Sequence, residues 1–480
     1  MPNKSTSGAT IALLTLCLST ALYAQQPTTA PEAAESSAPS PTTNSATSPA
    51  APSPSAPDAE RTRPEDPAQL EAESRQAYED GEYLKFYIAN MKLHNRFPYV
   101  PQYMYNIVRA CALLEKNTTA YHYMHKMQQQ GLSYDFNQTE DSQNIRDTQA
   151  YDYINNLMIE AGKPSGDGAI AMTLAGDPAE YRAMAWDNSR DRLLVGTVSK
   201  GQVLAVDADG GTEVLLQADS ENGLWSVNGL AVDQARGRLW ITSAATPEFA
   251  GYTESDGNRN SLFEFDLETL RPLVRYDLPP DGFYHELGGV AVTDDGDVYV
   301  VDTVMPLIYR KPRQQGGLEP FVASNDLVAF TDVAVTPDSS RLFASDPVMG
   351  IFVVDLAAGS AAMLSGPETL NLGGIQSMDY VDDKLFIVQA GIQPERLVRL
   401  ELAPDQPGVA DVVPMAVALE AFDRPGAGTV AGSDYYYFAN AGSGEAASGS
   451  IVMRTKLDAG NALKPLDLQD LQEALKPREP

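Results

Sequence analysis

Between Met184 and Val430 the chain repeats one pattern of apolar and polar positions six times. A short apolar run, most often apolar-Ala-apolar, leads through a polar turn into a second apolar run. The copies are Met184-Ala185-Trp186-Asp187 then Arg192-Leu193-Leu194-Val195; Leu230-Ala231-Val232-Asp233 then Arg238-Leu239-Trp240-Ile241; Val290-Ala291-Val292 then Asp297-Val298-Tyr299-Val300; Val333-Ala334-Val335 then Arg341-Leu342-Phe343-Ala344; Met378-Asp379-Tyr380 then Lys384-Leu385-Phe386-Ile387; and Val430-Ala431-Gly432 then Tyr435-Tyr436-Tyr437-Phe438. Their first apolar residues lie 46, 60, 43, 45 and 52 positions apart. Apolar runs this short, punctuated by turn residues, are strands. A strand-only unit of about 40–50 residues has the period of a β-propeller blade. The pattern predicts a mainly β chain: a six-bladed β-propeller in which the first run of each copy lines a central tunnel.

Further strands follow in the same units. Val203 to Asp207, Leu262 to Asp266 and Ile351 to Asp355 read as third strands, and Val214 to Leu216 and Leu273 to Tyr276 as fourth strands. The run Ala169 to Leu174 precedes the first copy. It is expected to supply the outer strand of the last blade, because joining both chain ends in one blade removes free edges. The longest spacing is explained by a polar insertion, Pro247 to Asn260, placed over one face of the propeller.

Ahead of the strands the period changes from two to three and four. Tyr83, Phe86, Tyr87 and Met91, then Met104, Ile107, Ala110, Leu113 and Leu114, mark helices between 67 and 162. Helical stretches are expected over Ala68 to Asp80, Tyr83 to Lys92, Gln102 to Leu114 and Thr119 to Gln129, with another near Asp147 to Ala161. Gly81 and Asn117 stand at breaks 36 residues apart. This resembles tetratricopeptide repeats, helical hairpins of about 34 residues, without their consensus Trp. The resemblance implies a small N-terminal α-helical repeat domain with a protein partner. A helical spacer that only docks on the propeller fits the same residues.

Composition adds a compartment. Lys4, the short apolar run Ile11 to Leu22 and small residues up to Ala24 read as a signal peptide over 1–24. An uncleaved membrane anchor is the other reading. Residues 25–66 are rich in Pro, Ala, Ser and Thr and read as a disordered linker. The expectation is an exported protein, periplasmic or extracellular, with no membrane insertion after cleavage. Its domains would be the helices at 67–162, the propeller at 163–460 and a tail at 461–480. Loss of Cys17 with the signal leaves Cys111 alone, so no internal disulfide can form. A formal charge of −31 repels nucleic acid and anionic membranes.

The position two before each first apolar residue forms a ring at one rim of the tunnel: Arg182, Asn228, Gly288, Thr331, Gln376 and Gly428. Over most of 178 to 456 the chain resembles the family of senescence marker protein, gluconolactonase and luciferin-regenerating enzyme. The resemblance rests on Asn228-Gly229-Leu230-Ala231-Val232-Asp233, Val301-Asp302-Thr303, Thr336-Pro337-Asp338 and Asp434-Tyr435-Tyr436-Tyr437-Phe438-Ala439-Asn440. It implies a six-bladed propeller, often a calcium-dependent lactonase whose rim Glu, Asn and Asp hold the ion. Of those ligands Asn228 alone carries over; Arg182 stands where Glu is implied and Gln376 where Asp is implied.

Calcium takes about six to eight oxygens, several of them charged, and this ring holds no carboxylate. Glu180, Glu286 and Asp332 lie within two residues of it and would restore charge if the loops shift. His285, beside Glu286, is a candidate general base or a plain hydrogen-bonding residue. Arg182 suits a carboxylate ligand or an ion pair with Glu180 or Glu286, and Trp225 and Tyr284 suit an apolar wall. His122 and His125 have metal-like spacing with no third ligand beside them. The candidate ligand-binding residues are therefore Arg182, Trp225, Asn228, His285, Glu286, Thr331, Asp332 and Gln376, with no catalytic residue and no cofactor beyond calcium. The leading expectation is a binding or scaffold protein whose tunnel mouth takes a small ligand or peptide. The alternative is a metal-dependent lactonase with a rearranged site.

Overall fold

The second run of every repeat is apolar throughout because both of its faces are covered. Arg192–Thr197, Arg238–Ala244, Val298–Asp302, Arg341–Asp346, Lys384–Gln389 and Asp434–Phe438 are the second strands of six antiparallel sheets, and nearly all of their residues are buried. Side chains of neighbouring sheets interdigitate there, as in stacked sheets generally. The outermost strands face solvent on one side. Thr212–Gln217 and Pro272–Asp277 are mostly exposed, so their apolar signal is weak.

The computed structural model describes residues 66–463, apart from 315, 325–326, 405–407 and 443–448. The expected signal peptide, all of the expected linker but Asp66, and the tail from 464 onward lie outside the described residues.

We number the blades in chain order by their inner strands: Tyr181–Asp187, Ser226–Asp233, Leu287–Val292, Asp332–Val335, Ile375–Val381 and Gly428–Ala431. Blades 1 to 5 run from tunnel to surface in chain order. Blade 6 is closed by Ala169–Leu174, which pairs antiparallel with Ser450–Lys456 from Ala169 opposite Arg454 to Leu174 opposite Ser450. The ring thus ends in a hydrogen-bonded seam instead of a free edge. Blade 5 carries a fifth strand that the repeat pattern does not announce. Ser165 and Gly166 pair with Val417 and Ala416 at its outer edge, where two exposed residues leave no apolar trace.

Five α-helices precede the propeller: α1 (Pro67–Glu79), α2 (Tyr83–Arg96), α3 (Pro101–Leu113), α4 (Asn117–Gln129) and α5 (Gln149–Ala161). Asp66 caps α1 by accepting from the Ala68 N–H at 3.0 Å, and Thr148 caps α5 through the Tyr151 N–H. Met104, Ile107, Val108, Cys111, Met124, Met127 and Met158 form their shared core. The lone Cys111 is fully buried, and burial pushes its thiol up to about 11.

The helices also bury surface against the propeller. Arg396 in blade 5 donates to the backbone oxygen of Gln130 at 2.9 Å, and Asn371 donates to the Gln130 side chain at 2.9 Å. The helices and the propeller belong to one compact unit. No described helix is long and apolar enough to cross a membrane.

Candidate functional site: the tunnel

A cavity of about 980 Å³ follows the inner strands of all six blades. Its lining takes the same few positions from each blade, as a ring of repeated strands requires. Of the residues singled out from sequence, Arg182, Asn228, Glu286, Thr331, Asp332 and Gln376 line it. Trp225 and His285 do not.

Trp225 meets Phe249 edge-on at 5.0 Å and lies under the Arg259 guanidinium at 5.6 Å. It belongs to the base of the insertion after the second strand of blade 2. His285 is 2 % exposed. Its Nδ1 lies 2.6 Å from Asp302 Oδ2 and its Nε2 lies 3.0 Å from Asp281 Oδ1. Burial opposes a charge on the ring, but the two carboxylates outweigh it and raise its pKa. The imidazole is locked between two acids and has no edge on the tunnel. Glu180 is also turned away: its carboxylate accepts the Ser199 and Lys200 N–H groups. On the helices, His122 packs edge-on against Tyr123 and Nε2 of His125 is buried without a partner.

The mouth is built from blades 1 to 3. Arg182 Nη1 lies 3.3 Å from Glu286 Oε1, with the arginine side chain 38 % and the glutamate 19 % exposed. Burial raises the Glu286 pKa, Arg182 works against that rise, and Glu248 and Asp302 add to it. Glu248 reaches the cavity from the blade 2 insertion. Asn228 is 8 % exposed, and its Nδ2 donates to the Leu287 carbonyl at 3.1 Å. That bond fixes the amide orientation and leaves Oδ1 buried with no partner. A buried acceptor left unpaired costs about 1–3 kcal/mol.

Blades 4 to 6 form a different wall. Asp332 Oδ2 accepts the Met378 N–H at 2.8 Å across the seam between blades 4 and 5. Asp379 Oδ2 accepts the Tyr435 hydroxyl at 2.9 Å across the seam between blades 5 and 6. Ser377 Oγ accepts the Gly428 N–H at 3.0 Å beside them. Both carboxylates touch the tunnel, yet protein surrounds them on every other side. Burial pushes Asp332 up to about 6, and burial together with the charge of Asp332 pushes Asp379 up to about 7. The backbone makes room for this wall. A Cβ on Gly289 of blade 3 would collide with Asp332 Oδ1, so a larger residue there would displace the carboxylate.

Asp379 and Glu248 were not singled out from the sequence. For Asp379 the signal was present, because its position in the other five copies is Ala185, Ala231, Ala291, Ala334 and Ala431. Glu248 lies in an insertion with no counterpart in other blades, so no repeat position marks it.

The resemblance stated above implies a divalent cation at the mouth. The residues present do not fit one. Asn228 offers one free oxygen, Glu286 is held by a guanidinium, and among the described residues no group of three or more His, Cys, Asp or Glu is placed to hold a metal. That falls short of the oxygen count calcium takes.

The architecture is a six-bladed β-propeller preceded by a helical module. Among solved structures, the chain is similar to a gluconolactonase from Xanthomonas campestris at 15 % identity and TM-score 0.42, over 61 % of this chain and 89 % of that one. It is similar to a luciferin-regenerating enzyme at 12 % identity and TM-score 0.42, over 60 % and 96 % of the two chains. A PQQ-bound aldose sugar dehydrogenase from Streptomyces coelicolor matches at 16 % identity and TM-score 0.41, over 61 % and 99 %. No protein-family model matches the chain, and no curated protein matches it in sequence.

Proposed function

We propose that this is an exported binding protein whose tunnel mouth takes up a small polar ligand. The observation that carries this reading is the Asn228 Oδ1 atom, buried at the lip of the cavity without a hydrogen-bond partner. Around it stand a half-exposed guanidinium, Arg182, and the carboxylates of Glu286 and Glu248. A cavity of about 980 Å³ with a few convergent polar groups has the size and chemistry of a ligand site. A ligand with hydroxyl or amine donors satisfies the amide oxygen and the carboxylates, and a carboxylate on the same ligand meets Arg182.

Calorimetry on the full chain with hydroxylated and zwitterionic small molecules tests the reading. Asn228→Ala is expected to weaken a bound ligand by about 5- to 30-fold, the equivalent of one buried hydrogen bond. Parallel titration with calcium and zinc separates the lactonase alternative. Tight stoichiometric metal binding that Asn228→Ala abolishes would overturn the metal-free reading.

The helices supply the surface for a protein partner in this proposal. Leu84 and Ile88 on α2 are 53 % and 45 % exposed, beside a cleft lined by Leu70, Ala77 and Ala89. Leu84 and Ile88 stand one helical turn apart on α2, and Glu73, Glu82, Lys85 and Lys92 rim the same cleft, an apolar pair with a charged border that suits a protein partner. Paired Leu84→Asp and Ile88→Asp substitutions should abolish partner capture while leaving the melting temperature unchanged.

A further inference from the structure

We propose that Asp332 and Asp379 form a proton-operated seam in the tunnel wall, closed while the pair holds a proton and loosened by repulsion when both carboxylates ionise. The inference concerns the tunnel wall formed by blades 4 to 6 and does not rest on the ligand reading of the mouth.

Three features of the geometry carry it. The two acids belong to adjacent blades, and their hydrogen bonds cross the 4–5 and 5–6 seams: Asp332 to the Met378 N–H, Asp379 to the Tyr435 hydroxyl. Tyr435 is itself fully buried and stacks on Phe386 at 5.8 Å, so it is a fixed donor. Neither carboxylate has an ion-pair partner among the described residues, whereas Glu286 at the mouth has Arg182 and Asp302 has His285. Asp332 Oδ2 rests on the N–H of Met378, the residue before Asp379, so two carboxylates without a cation share one part-buried wall and cannot both ionise without cost.

The surrounding elements offer no compensating charge. The inner strands of blades 3 and 6 contain no titratable residue. Tyr380, on the same strand as Asp379, donates to Asp383. Lys384 of the next strand donates to the Asp382 carbonyl, Asp434 of blade 6 is paired with Lys456, and Asp346 of blade 4 caps the turn at Val348 and Met349. Arg341, at the start of that same strand of blade 4, acts on Asp338. The charged residues that share the cavity, Arg182, Glu248, Glu286 and Arg424, are not among the groups that shift either aspartate. The pair therefore titrates against itself and its neutral donors: the Met378 and Val333 N–H groups and Ser377 for Asp332, Tyr435 for Asp379.

The sign follows from linkage. An unfolded aspartate titrates near about 3.9, and both of these titrate higher in the folded chain, so the folded state binds protons more tightly. Their contribution to stability is full below about pH 3.9, declines above it, and is lost once pH has risen through about 6 and about 7. Across the same range the inner wall changes from neutral to doubly negative.

Thermal melting of the full chain from pH 5 to pH 8 tests the seam without any ligand, so failure of ligand binding leaves it standing. Asp379→Asn is expected to melt about 2–5 °C above the unmodified chain at pH 8, with the gap narrowing steadily toward pH 5. Tyr435→Phe removes the donor that favours the ionised form, so the fall in stability should move to higher pH. A merely structural role for the hydroxyl would lower the curve without moving it. A protonated-carboxyl infrared band that titrates near neutrality should be present in the unmodified chain and reduced in Asp379→Asn. Asp332→Asn, read by the same band, keeps the test open if Asp379→Asn fails to fold. Parallel melting curves for the unmodified chain and Asp379→Asn across this range, or an infrared band unchanged by either substitution, would overturn the proposal.

Discussion

The mouth and the inner wall of the tunnel solve the same electrostatic problem in opposite ways. At the mouth each enclosed acid has a basic partner: Glu286 faces Arg182, and behind it Asp302 is bound to His285. On the inner wall Asp332 and Asp379 have only neutral donors, from the backbone, Ser377 and Tyr435. Burial pushes all four carboxyls up, and at the mouth Arg182 and His285 work against that push, whereas on the inner wall only neutral donors do. The difference is one of degree: the inner wall gives up its protons at about 6 and about 7, and its charge follows pH most directly.

The contrast can be broken at its strongest pair first. Asp302→Ala leaves the buried His285 with Asp281 alone and is expected to destabilise the chain by about 3–5 kcal/mol in urea unfolding. The raised pKa of His285 means that the pair's contribution is held below the ordinary histidine range and lost as pH rises through the folded value. The Asp302→Ala defect should accordingly shrink at alkaline pH, opposite to the gain expected from Asp379→Asn. A defect of equal size at pH 5 and pH 9 would show that the histidine is not charged.

Asp332→Asn on the inner wall should stabilise less than Asp379→Asn. Its side chain accepts two backbone N–H groups, from Met378 and Val333, and an amide offers only one acceptor atom for both. At the mouth, Arg182→Gln should change stability by under about 1 kcal/mol, because the pair is long and more than a third exposed on the arginine side. It should, however, raise the pKa of Glu286 further, visible as a shift of its carboxyl resonance. The smallest effect is expected from Asn228→Ala. It loses the bond to Leu287 and a long 3.5 Å contact with Glu286 and removes one unpaired oxygen, changes of similar size and opposite sign, so melting should barely move.

How much of this was legible follows the physics of burial. Second strands packed on both faces, such as Arg192–Thr197 and Lys384–Gln389, carry continuous apolar runs and announce themselves. The closing strand Ala169–Leu174 was legible for a related reason, since a ring needs its last edge paired and this was the unassigned apolar run before the first copy. Ser165–Gly166 has no apolar face and was not legible. At the site, the repeat register placed Arg182, Asn228, Thr331 and Gln376 on one rim, and the cavity includes all four. The same register misplaced Trp225 and His285, which precede inner strands in sequence but turn into side pockets once their partners Phe249 and Asp302 are in position.

By itself the sequence determined the number of blades and the order of their repeated strands, because these depend on periodicity, a property of spacing alone. Only the tertiary structure decided which charges meet. Arg182 and Glu286 lie 104 positions apart, and Asp332 and Met378 lie 46 apart. Electrostatic energy depends on distance through space and on the water excluded between groups, and neither quantity is written in the order of residues along the chain.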